Sequence, residues 1–303
     1  MILQARNTSP KGDAMSTTKT DPKIEAVMAS LTESVIASIE AGIADPKGWK
    51  APWHSILAGS VNATTKRKYS GGNAMMLGFM GAGPWATFKQ WQGVGAMVRK
   101  GEKGTLILVP APVKFEKEDK DGNKKRVSFM RYRTAYVFSA DQVEGWNAPD
   151  APTNPEPRIA DAELWLQEWA KVVPITHAPN SAYYVPSMDR ISIPAFDDFK
   201  DAAGFYNTAF HEAAHSTGHA DRCNRDMGNG FGSPSYAREE LVAEMTAAFL
   251  GNHFGIETGM APHNANYLAN WLAALKNDTS LLWDAANAAQ KAATLLLSVV
   301  EGE

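Results

Sequence analysis

The chain has 303 residues, 44% of them hydrophobic, and a net charge of −3, a length and composition that suit two domains with apolar cores. Its one cysteine, Cys223, excludes an internal disulfide and a cysteine-built metal site, and no apolar run is expected to reach the length of a bilayer span, so no membrane partner is expected. The net charge hides an asymmetry: residues 47–146 hold 17 Lys and Arg against 7 Asp and Glu, a net of +10, whereas residues 147–303 hold 9 against 20, a net of −11.

Residues 1–22 are polar, without the apolar centre of a signal peptide, and read as a disordered start of a cytoplasmic protein. A basic domain is expected over 23–146. It opens with a helix, because apolar residues recur at helical intervals from Ile24 to Ile43. Turn-rich sequence follows, in which Trp49, Trp53 and Tyr69 alternate with Lys47, Lys50, Lys66, Arg67 and Lys68. A second basic stretch carries Trp85, Phe88, Lys89 and Trp91, then Arg99, Lys100 and Lys103. Thr105–Val109 alternates as a strand does, and further strands are expected around Phe115 and Phe129–Phe138, with a hairpin turn at Asp119–Asn123. That turn superficially resembles a calcium loop, but Met130 stands where a bidentate glutamate is required. Aromatic side chains among cations are what sequence-tolerant single-strand binding needs, since bases stack on rings while Lys and Arg follow the phosphates. Trp53, Lys66, Arg67, Lys68, Tyr69, Trp85, Lys89, Trp91, Arg99, Lys100 and Lys103 are the candidates, although at least two of the four tryptophans Trp49, Trp53, Trp85 and Trp91 are expected in the core.

Four prolines in Asn147–Arg158 make residues 147–160 an extended linker, and the second domain is expected over 161–303. A helix over Asp161–Val172 carries Trp165 and Trp169; strands follow at Ser181–Val185 and Asp189–Pro194, the latter read as an edge because it ends in proline. Next comes His211-Glu212-Ala213-Ala214-His215, preceded by an aromatic-rich helical run. Two histidines four apart on a helix share a face and can meet one zinc ion, with Glu212 beside them as general base. The third ligand is open among Glu240, Asp221, Glu244 and His219. Asp221 would complete HExxHxxGxxD. Glu240 and Glu244 lie on an apolar helix, where buried carboxylates call for a cation, and one of them would bind while the other orients a histidine. The end, Ala265–Val300, reads as two packing helices hinged near Asn277–Asp278.

Taken together, the blocks Trp49–Trp53, Tyr69–Asn73, Trp85–Gln90, Val98–Gly104, Asp189–Ile191, His211–His219, Tyr236–Glu244 and Ala288–Ala293 resemble, in this order, the ArdC-type antirestriction proteins of conjugative plasmids. The resemblance spans about Leu31 to Leu297. It implies an α+β chain of two domains, an amino-terminal single-stranded-DNA-binding domain with antiparallel strands and a zincin-like metallopeptidase domain, that protects incoming plasmid DNA from restriction. It also implies His211 and His215 as ligands of zinc or another divalent metal, Glu212 as base, and a glutamate of the Glu240/Glu244 pair as third ligand. A host protein is the expected substrate if peptides are cleaved.

Overall fold

A computed structural model describes residues 22–45, 60–81, 83–118, 124–147, 159–179, 181–227, 233–256 and 265–301. The polar start, Trp49, Trp53, the turn at 119–123 and most of the proline-rich linker lie outside them.

Helix α1 (Pro22–Ala44) buries Leu31, Val35 and Ile39, spaced by four along one face. Contrary to expectation, its Glu25–Ala44 stretch is long and apolar enough to cross a membrane by length and composition, but that face packs into the largest core of the fold. There follow β1 (Val61–Asn62), α2 (Gly71–Met80), β2 (Pro84–Thr87), α3 (Phe88–Gly93), β3 (Met97–Val98), β4 (Thr105–Glu118), β5 (Lys124–Ser139) and β6 (Val143–Glu144). The four-stranded sheet runs β1-β2-β5-β4, with β1 and β2 parallel and the rest antiparallel. The strands expected near Phe115 and Phe129–Phe138 are parts of one long hairpin, in register from Thr105↔Val137 to Glu118↔Lys124. Strand β4 tolerates Pro110 and Pro112 because it is an edge, where a missing N–H breaks no second ladder.

The second half contains α4 (Ile159–Val172), β7 (Ile175–His177), β8 (Tyr183–Val185), β9 (Arg190–Ile193), α5 (Ala202–Ser216), α6 (Pro234–Phe254), α7 (Ala265–Asn277) and α8 (Leu281–Glu301). Its small sheet has the order β7-β9-β8. The expected edge strand, β9, is therefore central and β7 and β8 are the edges; Pro194 follows the last paired residue, so its missing donor costs the ladder nothing.

Among the described residues, three apolar clusters form the core. The largest joins both halves: Leu31, Met75, Leu77, Trp85 and Val137 pack with Leu241, Met245, Trp271, Leu282 and Trp283. Close approach is possible because α2 starts with two glycines. A Cβ on Gly72 would lie 2.3 Å from the Trp283 ring, and one on Gly71, at φ +54°, 2.1 Å from Asn287 Oδ1. The second cluster surrounds α5 with Trp165, Trp169, Ile191, Phe205, Phe210 and Phe254. Trp165 donates to the Leu296 carbonyl at 2.8 Å and Trp169 to Ser216 Oγ at 3.2 Å, so both buried indoles are satisfied. The third encloses Trp91, whose indole donates to the Phe138 carbonyl at 3.0 Å.

Candidate metal centre

Helix α5 starts at Asp201, whose carboxylate accepts from the Gly204 N–H at 2.8 Å. Helix α6 starts at Ser233, which caps Tyr236 N–H, with Pro234 in the first turn, and it stops at Gly255 in the left-handed conformation. Fourteen of the 21 residues of α6 are buried, and it serves both large cores. Between those two apolar contacts it presents Glu239, Glu240 and Glu244, which are only 7%, 6% and 2% exposed, toward the histidine face of α5.

His211 and His215 bring their Nε2 atoms to 3.1 Å. Glu240 completes the triangle, with Oε2 3.5 Å from His211 Nε2 and Oε1 3.6 Å from His215 Nε2. Zinc bonds of roughly 2.0–2.1 Å at tetrahedral angles separate neighbouring ligand atoms by roughly 3.3–3.4 Å, so the donor set and its spacing both fit a divalent ion. Among the described residues, these three form the one metal-competent group. Asp221 is not brought in. Its side chain is 88% exposed, and its carboxylate lies 3.6 Å from His219 Nδ1. Asp221 as the third ligand, completing HExxHxxGxxD, is thus corrected. A Cβ on Gly218 would meet Met227 Sδ at 2.3 Å, the His215 carbonyl at 3.0 Å and Arg225 at 3.2 Å.

The outer nitrogens of the two imidazoles are held by carboxylates: His211 Nδ1 is 3.3 Å from Glu244, and His215 Nδ1 is 3.2 Å from Glu239. Carboxylates in those places accept hydrogen bonds from Nδ1–H and so turn the Nε2 lone pairs toward the common point. Glu239 also receives two bonds from Arg225, at 2.7 and 2.8 Å, and Arg225 donates onward to Thr217 and the Ala214 carbonyl at the end of α5. Glu239 and Arg225 were not singled out from the sequence. For Glu239 a signal existed, since two ligand histidines each need an outer partner and three glutamates stand nearby on α6; for Arg225 there was none.

The charges explain why the cluster suits a cation. Glu212, Glu239, Glu240 and Glu244 are four buried carboxylates beside one guanidinium, a deficit of three charges that two imidazolium protons or one dication would reduce to one. Without an ion the protons take that place. Burial disfavours charge on His211, but the Glu240 and Glu244 carboxylates outweigh it and hold its pKa well above 6.5; His215 is raised likewise by Glu239. Burial also opposes charge on Glu240, yet His211 and His215 pull its carboxyl down to about 2. Glu212 goes the other way: burial raises it, more than the two histidines and the Tyr184 N–H lower it. A carboxyl with an elevated pKa beside a metal-competent triad is equipped to take and return a proton.

The site opens into a cleft of about 340 Å³, lined by Tyr183 and Tyr184 of β8, Glu212, Met227 and Tyr236. The Tyr184 hydroxyl donates to Asp189 Oδ1 at 2.7 Å. Asp189 in turn pairs with Arg222 and so fastens the β8–β9 turn to the end of α5.

In the basic half, Lys66, Arg67, Lys68, Lys89, Arg99, Lys100 and Lys103 are exposed, and Tyr69 is half-buried. Arg99 is tied to Glu102 and to the Asp141 carbonyl. Trp85 and Trp91 are 2% and 0% exposed, which corrects their expected stacking role: no base can reach either ring. Both supply core volume instead.

Residues 25–138 match the family described as the N-terminal domain of anti-restriction factor ArdC, and residues 161–288 match the zincin-like metallopeptidase family. The metal-free crystal structure of the antirestriction ArdC protein from R388 plasmid superimposes with a TM-score of 0.67 at 31% identity, covering 91% of this chain and 98% of that one. The Mn(II)-bound structure of the same protein gives 0.69 at 32%, covering 90% and 97%. In sequence, the uncharacterized protein y4eC of Sinorhizobium fredii (strain NBRC 101917 / NGR234) is 34% identical over 92% of this chain and 94% of its own length. A DNA primase TraC of Escherichia coli is 35% identical over 88% of this chain, which spans only 27% of that primase.

Proposed function

The chain belongs to the ArdC antirestriction family, and from that premise we propose that it acts in the cytoplasm by binding incoming plasmid DNA as a single strand and shielding it from restriction. The observation that carries this reading is exposure: Lys66, Arg67, Lys68, Lys89, Lys100 and Lys103 all stand on the surface of a segment with a net charge of +10. Cations spread in this way neutralise phosphates without reading sequence. With about six phosphates contacted on a single strand, log affinity falls against log salt with a slope near −4.

The acidic half holds a divalent ion, zinc in our reading, on His211, His215 and Glu240, and the Mn(II)-bound relative supports a divalent occupant. When bound, such an ion polarises a carbonyl and lowers the pKa of water. Glu212 accepts a proton in the cleft and returns it to a leaving group; Glu239 and Glu244 fix the two imidazoles; Tyr236 donates to Glu240 and steadies the third ligand.

A second reading, favoured by the intact Glu212 and the cleft beside edge strand β8, is a DNA-localised zinc metalloprotease that cuts a host protein. The open side of β8 is where an extended substrate chain would add as a further strand. Plasmid transfer into restricting and non-restricting hosts separates the two. Glu212→Gln with its metal retained keeps protection under the shield and abolishes it under the protease. Charge reversal at Lys89, Lys100 and Lys103 abolishes it under the shield. Protection that survives all these changes refutes both readings.

A further inference from the structure

The buried tryptophans leave open which rings of the basic half meet bases. The large hydrophobic side chains exposed in that half include Phe88, Tyr132 and Tyr136, at 44%, 58% and 49%, and none of the three was chosen from the sequence as a DNA contact. Tyr132, Tyr136 and Phe138 are separated by even numbers of residues on β5, so they lie on one face of that strand. Phe88 joins them from the start of α3: its ring meets Phe138 edge-on at 6.4 Å. Gly104 stands across from this row, where a Cβ would sit 3.0 Å from the Phe138 ring and 3.1 Å from Tyr136 Cβ. Glycine at that point avoids crowding Phe138 and Tyr136, and Tyr132 and Tyr136 stay exposed while Phe138 is half-buried against the third core. From Tyr132 to Phe138 the row extends about 20 Å at the rise of a strand.

We propose that Phe88, Tyr136 and Tyr132 form the stacking face for single-stranded DNA, with Lys89 and Lys103 at its border taking the phosphates. The proposal rests on the single-strand reading above and gives it a location. Charge complementarity selects a polyanion as the occupant: Lys89 and Lys103 flank Phe88 and Gly104 directly in sequence, both are exposed, and the nearby Glu102 is already taken up by Arg99 and Gln142. Stacking asks only for an accessible ring, so the face is tolerant of base identity.

The test uses the full chain and a fluorescein-labelled oligothymidylate in anisotropy titrations at several salt concentrations. Because the three rings are exposed, Phe88→Ala, Tyr132→Ala and Tyr136→Ala are expected to fold, which circular dichroism checks. Each should weaken binding roughly 5- to 150-fold while leaving the salt slope unchanged. Tyr132→Phe and Tyr136→Phe should bind as wild type does, because they keep the ring, whereas Lys103→Ala should reduce the steepness of the slope by about 0.7. Wild-type affinity in all three alanine variants, with Lys103→Ala still weakened, would overturn the stacking face and leave the single-strand reading standing. A wild-type chain that does not bind the oligonucleotide overturns both.

Discussion

Replacing Glu239 by Gln separates the two jobs this carboxylate performs. Its side chain is 9% exposed, one oxygen lies 3.2 Å from His215 Nδ1, and Arg225 donates two bonds to it at 2.7 and 2.8 Å. Gln has nearly the same shape but no charge, and its amide group offers donors where His215 and Arg225 also donate. Removing a carboxylate that orients a ligand histidine lowers metal affinity about 10- to 100-fold, or about 1.4 to 2.7 kcal/mol. Leaving Arg225 buried and uncompensated costs the metal-free fold about 3–5 kcal/mol. Competition against a chromophoric chelator reads the first effect, and urea denaturation of the metal-free protein reads the second. Arg225→Met should reproduce the loss of stability but keep metal affinity, because the carboxylate remains to hold His215. If Glu239→Gln binds zinc and manganese within twofold of wild type while its urea midpoint falls, Glu239 only neutralises Arg225, and the positioning argument fails.

Glu240→Ala removes a ligand and should lower metal affinity by more than Glu239→Gln does, whereas Asp221→Ala, at an 88% exposed side chain, should change nothing; a chelator titration showing the reverse would reinstate Asp221. The histidine pKa values of the metal-free protein lie above 6.5, so protonation stabilises it. That contribution is complete below pH 6.5 and drains away as pH rises through the elevated values, while metal affinity rises because the ion displaces those protons. Thermal midpoints of stripped and reloaded protein between about pH 6 and 9 check both directions, and a stripped protein that gains stability across this window contradicts the charge assignment. Gly72→Ala, forced against the Trp283 ring, should destabilise the chain by about 1–3 kcal/mol in chemical denaturation, and an unchanged midpoint would show that α2 is not tightly docked on α8.

How much of this was legible beforehand follows from the range of each interaction. The HExxH helix could be read from local sequence, because two histidines four apart share a face whatever surrounds them, and so could the conflict that a glutamate-bearing apolar helix creates unless a cation resolves it. The charge asymmetry was equally local. What sequence left open was every choice among near-equivalent residues. Glu240 rather than Asp221 faces the histidines because α6 is wedged between two cores that fix its rotation, and that rotation depends on Leu241 and Met245 packing against residues from the other half of the chain. Glu239 and Glu244 fall on either side of Glu240 for the same reason. Trp85 and Trp91 looked like stacking residues because they stand among cations, yet a strand and a helix turned them inward and left Tyr132 and Tyr136 outside. Side-chain chemistry and its local period are properties of the sequence. Which side faces solvent is settled by packing partners remote in sequence, within about fifty residues for Trp91 and across both halves for α6, and only the tertiary structure supplies them.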